Sequence, residues 1–348
     1  MNTIVRNVEN TDNKEAIREA ARLLREGQVV AFPTETVYGL GGSGWMEDAA
    51  DKIYKAKGRP SDNPLILHIG SMDMIQEIAS YIPKLAKKAM DAFWPGPLTV
   101  ILPKSDNVPN RVTGGLDSVA VRMPSHPVAL ALLKEAGIPV AAPSANTSGR
   151  PSPTEAEHVV EDLEGKIPMV LDGGKVEVGV ESTIVDFTGN VPVILRPGKI
   201  TKDELEQVLL TEVLLGTFAV KEDAVPKAPG MKYKHYAPKA QLILVLGTDR
   251  EKVTEEITKR VHDCRSKGMR TGVIATEETK DAYDADEVIP VGSRKHMETV
   301  TANLYHVLRE FDHRDVDMIF SEGFEGEEYE EAVMNRLAKA AGHQMIRV

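Results

Sequence analysis

Cationic and amide side chains next to glycine and proline are the residues of this sequence best suited to chemistry. The segment KAKGRPSDNPLILH carries Lys55, Lys57 and Arg59, followed by Asn63 and His68. Lysines in the last turn of a helix often do no more than complement its dipole. Arg59 lies beyond the expected helix end, in a Gly-Arg-Pro turn, where a planar guanidinium can clamp a phosphate or a carboxylate. The segment therefore predicts an anion-binding loop.

A second candidate stands at the end of an expected strand, SVAVRMPSHP. Ser118 and Arg122 are four positions apart, so on a strand both side chains point to one face. A buried arginine is costly without a partner of opposite charge. Either an anionic ligand or a buried Asp or Glu could be that partner, and the sequence leaves both open.

Two further loops combine polar groups with restricted backbones. The segment APSANTSGRPSPT (142–154) holds hydroxyl side chains and Asn146 between prolines. This pattern is typical either of a rigid loop of hydrogen-bond donors or of a simple turn before a helix capped at Thr154. The segment GVESTIVDF (179–187) is followed by LRPG, which places Arg196 at a strand end before Pro-Gly.

The elements that must position these loops alternate between helix and strand. Hydrophobic periodicity and breakers predict helices near 16–24, 46–59, 79–94 and 127–137, and strands at 28–32, 98–103, 118–124 and 138–145. The segment 169–189, with Gly173-Gly174, is expected to form a hairpin and a return strand. This mixture predicts an α/β fold with a twisted mixed sheet.

The composition changes after about residue 211. Segment 221–239 is polar and has three prolines, which is typical of a linker. Strands then alternate with helices again, which favours a smaller, parallel, Rossmann-like α/β domain. The predicted organisation is a first domain at 1–211 that carries the candidate loops, a linker at 212–239 and a C-terminal domain at 240–348.

Composition also excludes several classes of protein. Lys plus Arg number 42 against 53 Asp plus Glu, and the net charge of −11 argues against a protein that coats nucleic acid. The single cysteine, Cys264, excludes an intrachain disulfide and a multi-cysteine metal site. The first residues lack the apolar region of a signal peptide, and no apolar run reaches about 18 residues. We therefore expect a soluble, cytoplasmic protein.

A glycine pattern invites a nucleotide-binding interpretation that its context does not favour. Gly39, Gly41 and Gly44 spell G-x-G-x-x-G, and Asp62 follows about 20 residues on. That fingerprint requires a strand running directly into the first glycine, but PTETVY intervenes. We interpret the cluster as a glycine-rich turn that permits close backbone approach. No P-loop, H-E-x-x-H or G-x-S-x-G motif occurs.

Seven separated motifs together resemble a known family. PTETVYGL, KGRPSDNPL, FWPGPLT, VAVRMPSHP, APSANTSGRPSPT, GVESTIVDF and LRPG occur in this order and resemble the YrdC-type threonylcarbamoyl-AMP synthases. Lys57-x-Arg59 with Ser144-x-Asn146 is similar to that family's signature. The linker sequence PGMKYKHYAP and the trailing α/β domain resemble its long, two-domain branch. Ser118 stands where relatives often have threonine, a change that keeps the hydroxyl.

The resemblance implies a YrdC-like catalytic domain and a nucleotidyl-transfer reaction. L-Threonine, bicarbonate and ATP, accompanied by Mg²⁺, would become L-threonylcarbamoyladenylate and pyrophosphate. The product would pass to the tRNA threonylcarbamoyl transferase machinery for N6 modification of adenosine 37. The resemblance also leaves open a weak contact between this chain and tRNA. We expect no metal-ligating residue in this chain and no interaction with a membrane.

The resemblance also assigns residues. Threonine would be bound by Thr36, His68, Arg122, Ala142 (through its backbone) and Ser182. ATP would be bound by Arg59, Asn63, Ser118, Ser144, Ser152, Arg196 and Tyr236, and Lys57 and Arg59 are the catalytic candidates. Tyr233, His235 and Tyr236 lead us to predict that the linker acts as a lid over the active site when ATP is bound, because the product is labile in water.

Two other functions stay open from the sequence. One is a different adenylate-forming enzyme or carbamoyltransferase on the same core, which trials of other amines and of carbamoyl phosphate would separate. The other is a non-enzymatic module that binds double-stranded RNA by shape. A steep salt dependence of RNA binding without ATP turnover would favour the second.

Overall fold

The computed structural model describes residues 2–8, 13–216, 226–228, 236–326 and 329–348. Contacts divide the chain into two compact units. The first comprises Met1–Ser148, Pro153–Glu177 and Glu181–Tyr233, and the second comprises Gly149–Ser152, Val178–Val180 and Lys234–Val348. The predicted bounds 1–211, 212–239 and 240–348 stay a prediction.

Eleven strands of the described residues form one sheet in the first unit. They are β1 (Ile4–Asn7), β2 (Val30–Phe32), β3 (Gly39–Ser43), β4 (Ile66–His68), β5 (Leu98–Pro103), β6 (Ser118–Arg122), β7 (Val140–Ala141), β8 (Met169–Asp172), β9 (Thr183–Asp186), β10 (Val193–Arg196) and β11 (Leu214–Leu215). Their order is β1-β8-β2-β3-β7-β4-β6-β5-β9-β10-β11. Pairs such as β4 with β6 are parallel and pairs such as β5 with β6 are antiparallel, so the predicted mixed sheet is confirmed.

Helices cover both faces of this sheet. They are α1 (Lys14–Arg25), α2 (Glu47–Lys57), α3 (Ile75–Ile78), α4 (Lys84–Phe93), α5 (Asn110–Thr113), α6 (Pro127–Ala136), α7 (Ala156–Leu163) and α8 (Lys202–Leu209). Along β2, Val30 and Phe32 join one apolar cluster while Ala31 joins another. Successive side chains of a strand point to opposite faces, so the sheet is buried on both sides.

Helix ends fix where the candidate loops begin. The helix α2 ends at Gly58, whose φ of 63° is left-handed, a conformation that glycine adopts without steric cost. This turn places Lys57 in the last helical position and Arg59 just beyond it. The helix α6 likewise begins with Pro127 and ends at Gly137, with φ 64°, as the sequence predicts.

The second unit contains a smaller, parallel sheet. Its strands are β12 (Gln241–Leu246), β13 (Thr271–Ala275), β14 (Glu287–Pro290), β15 (Met318–Glu322) and β16 (Met345–Arg347), and its helices are α9 (Arg250–Arg265), α10 (Met297–Glu310) and α11 (Glu330–Ala340). The order is β14-β13-β15-β12-β16, and all four pairings are parallel. The predicted Rossmann-like domain is confirmed.

Three local predictions are wrong. The strands β8 and β9 do not form a hairpin, because β8 pairs with β1 and β2 while β9 pairs with β5 and β10. The helix predicted at 79–94 begins only after Pro83. The glycine cluster is the strand β3 and not a turn: a Cβ on Gly41 would lie 2.6 Å from Val140 Cγ1, so the glycine permits close packing of neighbouring strands.

None of the helices in the described ranges combines the length and the apolar character that a membrane span requires.

Candidate active site

Arg122, the last residue of β6, stands at the centre of a buried polar cluster. Its side chain is 4% exposed. Its Nη2 donates to Glu35 Oε1 at 2.7 Å, its Nη1 to Thr36 Oγ1 at 2.9 Å and its Nε to the Gly96 carbonyl oxygen at 3.3 Å. The sequence left open whether Arg122 is paired with a ligand or with an acidic side chain. The structure shows an acidic side chain, Glu35, and a ligand would be a second partner.

His68 ends the neighbouring strand β4 and pairs in register with Arg122. Its Nδ1 lies 3.1 Å from the Ile66 carbonyl oxygen, and its ring meets the Phe32 ring edge-on at 6.2 Å. Burial, and next the charge of Arg122, lower the pKa of His68 to about 3. The ring is therefore neutral near neutral pH and adds no second positive charge beside Arg122.

Ala142 joins this cluster from the other side of β4. It follows β7, and its backbone N–H donates to the Ile66 carbonyl oxygen at 2.9 Å. Four of the five predicted threonine-binding residues, Thr36, His68, Arg122 and Ala142, are thus brought together by β4, its two neighbouring strands and the segment between β2 and β3.

A second cluster forms around Ser182 and Arg196. Arg196, at the end of β10, donates through Nε and Nη2 to the Ser182 carbonyl oxygen at 3.1 and 3.0 Å, and through Nη2 to Ser182 Oγ at 3.1 Å. Ser182 Oγ also lies 2.7 Å from Thr99 Oγ1. Thr99 precedes Val100, which pairs with Val121, the residue before Arg122. Of this cluster, Thr99 therefore lies on β5, the strand next to the one that ends at Arg122.

The Lys57 ammonium holds the loop that follows β7. Lys57 is 2% exposed, and its Nζ donates to the carbonyl oxygens of Ser144 and Asn146, both at 2.5 Å. Ser144 Oγ in turn donates to Asn146 Oδ1 at 2.5 Å. The structure therefore brings together the three residues Lys57, Ser144 and Asn146 of the predicted signature.

Arg59 lies against the backbone of its own loop. Its Nη2 donates to the carbonyl oxygens of Asn63 and Pro64 at 3.3 and 3.1 Å. The side-chain oxygen Oδ1 of Asn63 is buried and has no hydrogen-bond partner within the described ranges. A buried acceptor without a donor is costly, and a ligand that donates a hydrogen bond would satisfy it.

The remaining predicted ATP-binding residues are Ser118, Ser152 and Tyr236. Ser118 is at the opposite end of β6 from Arg122. Ser152 and Tyr236 belong to the second unit, and both are buried. The Tyr236 ring centroid lies 5.0 Å from that of Tyr305. Tyr233 and His235, on which the lid prediction also rests, lie outside the described residues.

Comparison with known proteins gives the family. A family model described as "Telomere recombination" (Sua5, YciO, YrdC) matches residues 22–198, and a second, described as the C-terminal domain of threonylcarbamoyl-AMP synthase, matches residues 200–342. Threonylcarbamoyl-AMP synthase of Bacillus subtilis is 49% identical over 97% of this chain and 96% of its own length. The chain belongs to the Sua5/YrdC family of threonylcarbamoyl-AMP synthases.

Two comparisons with Pyrococcus abyssi extend this result. Its threonylcarbamoyl-AMP synthase is 48% identical over 99% of this chain and all of its own length. A crystal structure of P. abyssi Sua5 complexed with L-threonine is 47% identical, has a TM-score of 0.94 and covers 99% of both chains. The resemblance that the motifs predicted is confirmed over both parts of the chain.

Two members of the clusters escaped the sequence analysis. Glu35 and Thr99 each contact a residue predicted to bind threonine. Both lie inside motifs that carry the likeness to the Sua5/YrdC family, Glu35 in PTETVYGL and Thr99 in FWPGPLT. The signal that could have found Glu35 is the charge of Arg122, which needs an acidic partner if it is buried.

Proposed function

We propose that this chain is an L-threonylcarbamoyladenylate synthase, which converts L-threonine, bicarbonate and ATP into threonylcarbamoyl-AMP and pyrophosphate. The observation that carries this proposal is the 49% identity with a threonylcarbamoyl-AMP synthase over nearly the full length of both chains. The buried cationic clusters of the first unit support it, because all three substrates are anionic or carry a carboxylate.

Threonine binds at the Arg122 cluster. The guanidinium of Arg122 receives the substrate carboxylate, with Thr36, His68, Ser182 and the backbone of Ala142 around it. Recognition of the threonine methyl group by an apolar contact supplies only about 1–3 kcal/mol against serine. Polar contacts to the side-chain hydroxyl group carry the larger part of the selectivity against amino acids that lack a hydroxyl.

ATP binds through cationic, hydroxyl and amide side chains of the loops and strand ends. These are Arg59, Asn63, Ser118, Ser144, Ser152, Arg196 and Tyr236. Asn63 Oδ1 is a buried acceptor suited to a donor group of the nucleotide. Lys57 acts here by ordering the loop that carries Ser144. Mg²⁺ arrives with ATP as part of the substrate, bound by phosphate oxygens and water, because this residue set contains no carboxylate and Glu35 is already paired with Arg122.

The reaction joins three molecules through one carbon atom. The amino nitrogen of threonine bonds to the carbon of bicarbonate, and one water leaves. An oxygen of the resulting carbamate bonds to the α-phosphorus of ATP, and pyrophosphate leaves. Such nucleotidyl transfer proceeds mainly by positioning and charge stabilisation, so a site rich in fixed cations and without paired carboxylates suits it.

The labile product implies a second protein. Threonylcarbamoyl-AMP passes to the tRNA threonylcarbamoyl transferase machinery, which modifies adenosine 37 of tRNA. A weak contact of this chain with tRNA during that transfer belongs to the same proposal, as does the cytoplasmic compartment in which tRNA is modified.

A labelling experiment tests the proposal directly. The protein is mixed with ATP, Mg²⁺, L-threonine and ¹³C-bicarbonate, and mass spectrometry follows the adenylate. We expect label in threonylcarbamoyl-AMP with equal amounts of pyrophosphate, and no product when any one substrate is omitted. Release of ADP and phosphate instead, or label transfer to another amine in preference to threonine, would contradict the proposed function.

A further inference from the structure

Glu35 is a buried carboxylate that links two loops of the first unit. It lies between β2 and β3 and is 5% exposed. Its Oε1 accepts from Arg122 Nη2 at 2.7 Å, and its Oε2 accepts from the backbone N–H of Ser125 at 3.1 Å. The side chain thus ties the segment after β2 to the segment after β6, with the Arg122 guanidinium held between them.

This carboxylate is ionised when the protein is folded. Burial by itself would raise the pKa of Glu35, but the charge of Arg122 and the hydrogen bonds from Arg122 and Ser125 outweigh burial and lower the pKa below its ordinary value. Glu35 and Arg122 therefore form an ion pair in which both side chains are nearly inaccessible to water, at 7% and 4% exposure.

The contacts of Arg122 leave a defined part of its guanidinium for a ligand. A guanidinium has five N–H donors. Gly96, Thr36 and Glu35 each accept one of them, from Nε, Nη1 and Nη2 respectively. Among the described residues no other acceptor contacts this group, so one N–H remains on each terminal nitrogen. Two such donors are what a carboxylate needs for a bidentate hydrogen bond.

We infer that Glu35 is a positioning residue for the substrate carboxylate. It fixes the guanidinium of Arg122 so that the two remaining donors present a preformed fork. Without Glu35 the arginine side chain must be ordered when the ligand binds, which weakens affinity. This inference rests on the proposed function, in which Arg122 receives the carboxylate of threonine.

Calorimetric titration of two ligands tests the inference. L-Threonine has the carboxylate, whereas L-threoninol carries an alcohol in its place. In the Glu35→Gln variant one of the two acceptor oxygens becomes an amide N–H group, so either Arg122 or Ser125 loses its partner. The loss of a charge-assisted hydrogen bond predicts about 10- to 100-fold weaker binding of threonine, with threoninol binding unchanged. Glu35→Asp, which keeps the charge but is shorter, should give an intermediate loss.

Glu322→Gln is the matched control. Glu322 of the second unit also forms a buried ion pair, with Arg294 at 2.8 Å and side-chain exposures of 3% and 7%. This variant should lose thermal stability as Glu35→Gln does, yet bind both ligands as the wild type does. A purely structural role for Glu35 would weaken threonine and threoninol equally.

The outcomes separate the inference from the proposed function. Selective loss of threonine affinity in both Glu35 variants supports the positioning role. Unchanged threonine affinity in folded Glu35→Gln and Glu35→Asp overturns it and leaves the proposed function standing. Absence of threonine binding to the wild type would overturn both.

Discussion

At the scale of single residues, burial and the charge of Arg122 together set the charge states of the groups around the candidate site. His68 and Glu35 both lie close to Arg122. Burial and the charge of Arg122 both lower the pKa of His68 and keep it neutral, whereas the charge and hydrogen bonds of Arg122 outweigh burial and keep Glu35 ionised. The same arginine therefore disfavours the charged form of His68 and favours the charged form of Glu35, because a cation repels a second cation and attracts an anion.

The neutral His68 gives the protein a measurable dependence on pH. Its pKa is about 3 in the folded state against 6.5 for the free side chain. Between these values the unfolded chain binds one more proton, so stability falls as pH falls, by up to about 1.4 kcal/mol per pH unit. Replacement by asparagine, whose amide can occupy the place of Nδ1, should remove this part of the slope.

Urea unfolding at several pH values between 6.5 and 4 measures the effect. The His68→Asn variant is expected to be less stable at pH 7 but to lose less stability on acidification than the wild type. His313→Asn, a change at a half-exposed histidine, is the control and should retain the wild-type slope. Equal slopes for wild type and His68→Asn would contradict the assignment of a low pKa to His68.

At the scale of elements, a buried lysine anchors the loop after β7 to the end of α2. Lys57 Nζ contacts the carbonyl oxygens of Ser144 and Asn146, and the Lys57 carbonyl oxygen accepts from the N–H of Ser148 at 2.9 Å. Lys57→Met keeps the chain length but removes the donor, which leaves two carbonyl groups without it. We expect a loss of about 2–4 kcal/mol in the free energy of unfolding.

Hydrogen exchange shows whether this loss is local. Backbone amides of residues 143–148 should exchange faster in Lys57→Met, since the contacts that hold the loop are gone. Lys55→Met, two residues earlier on the same helix and exposed, should change stability by less than about 0.5 kcal/mol. Unchanged exchange of the loop in Lys57→Met would show that the ammonium does not order it.

The helices and strands also show which parts of the fold can be predicted from the sequence. Short-range signals such as Pro127, Gly137 and the Gly58 turn gave helix ends correctly, because a cap depends on a few adjacent residues. Strand pairing depends on partners far along the chain, so nothing local showed that β8 joins β1 and β9 joins β5. The motifs supplied only the candidate residues of the site. The Glu35–Arg122 pair spans 87 positions, so it could be found only from the fold.

At the scale of the whole molecule, the net charge limits the affinity of the chain for RNA. Its 53 acidic residues outnumber its 42 basic ones. Many surface cations are also paired with carboxylates, among them Arg6 with Glu19, Arg22 with Glu26, Lys87 with Asp91, Arg111 with Asp51 and Arg347 with Glu325. A cation already beside a carboxylate contributes little to the attraction of phosphate groups, so any contact with tRNA is expected to be weak and to involve few phosphates.

Fluorescence anisotropy with labelled tRNA between 50 and 200 mM salt measures this charge effect. Each neutralised phosphate adds about 0.7–0.9 to the slope of log affinity against log salt, and we expect a slope smaller in magnitude than about 3. The double variant Glu26→Gln and Asp91→Asn releases Arg22 and Lys87 from their partners and should bind tRNA more tightly. A slope of about −6 or steeper in the wild type, without ATP turnover, would instead favour an RNA-binding module, because only a broad basic surface releases that many counterions.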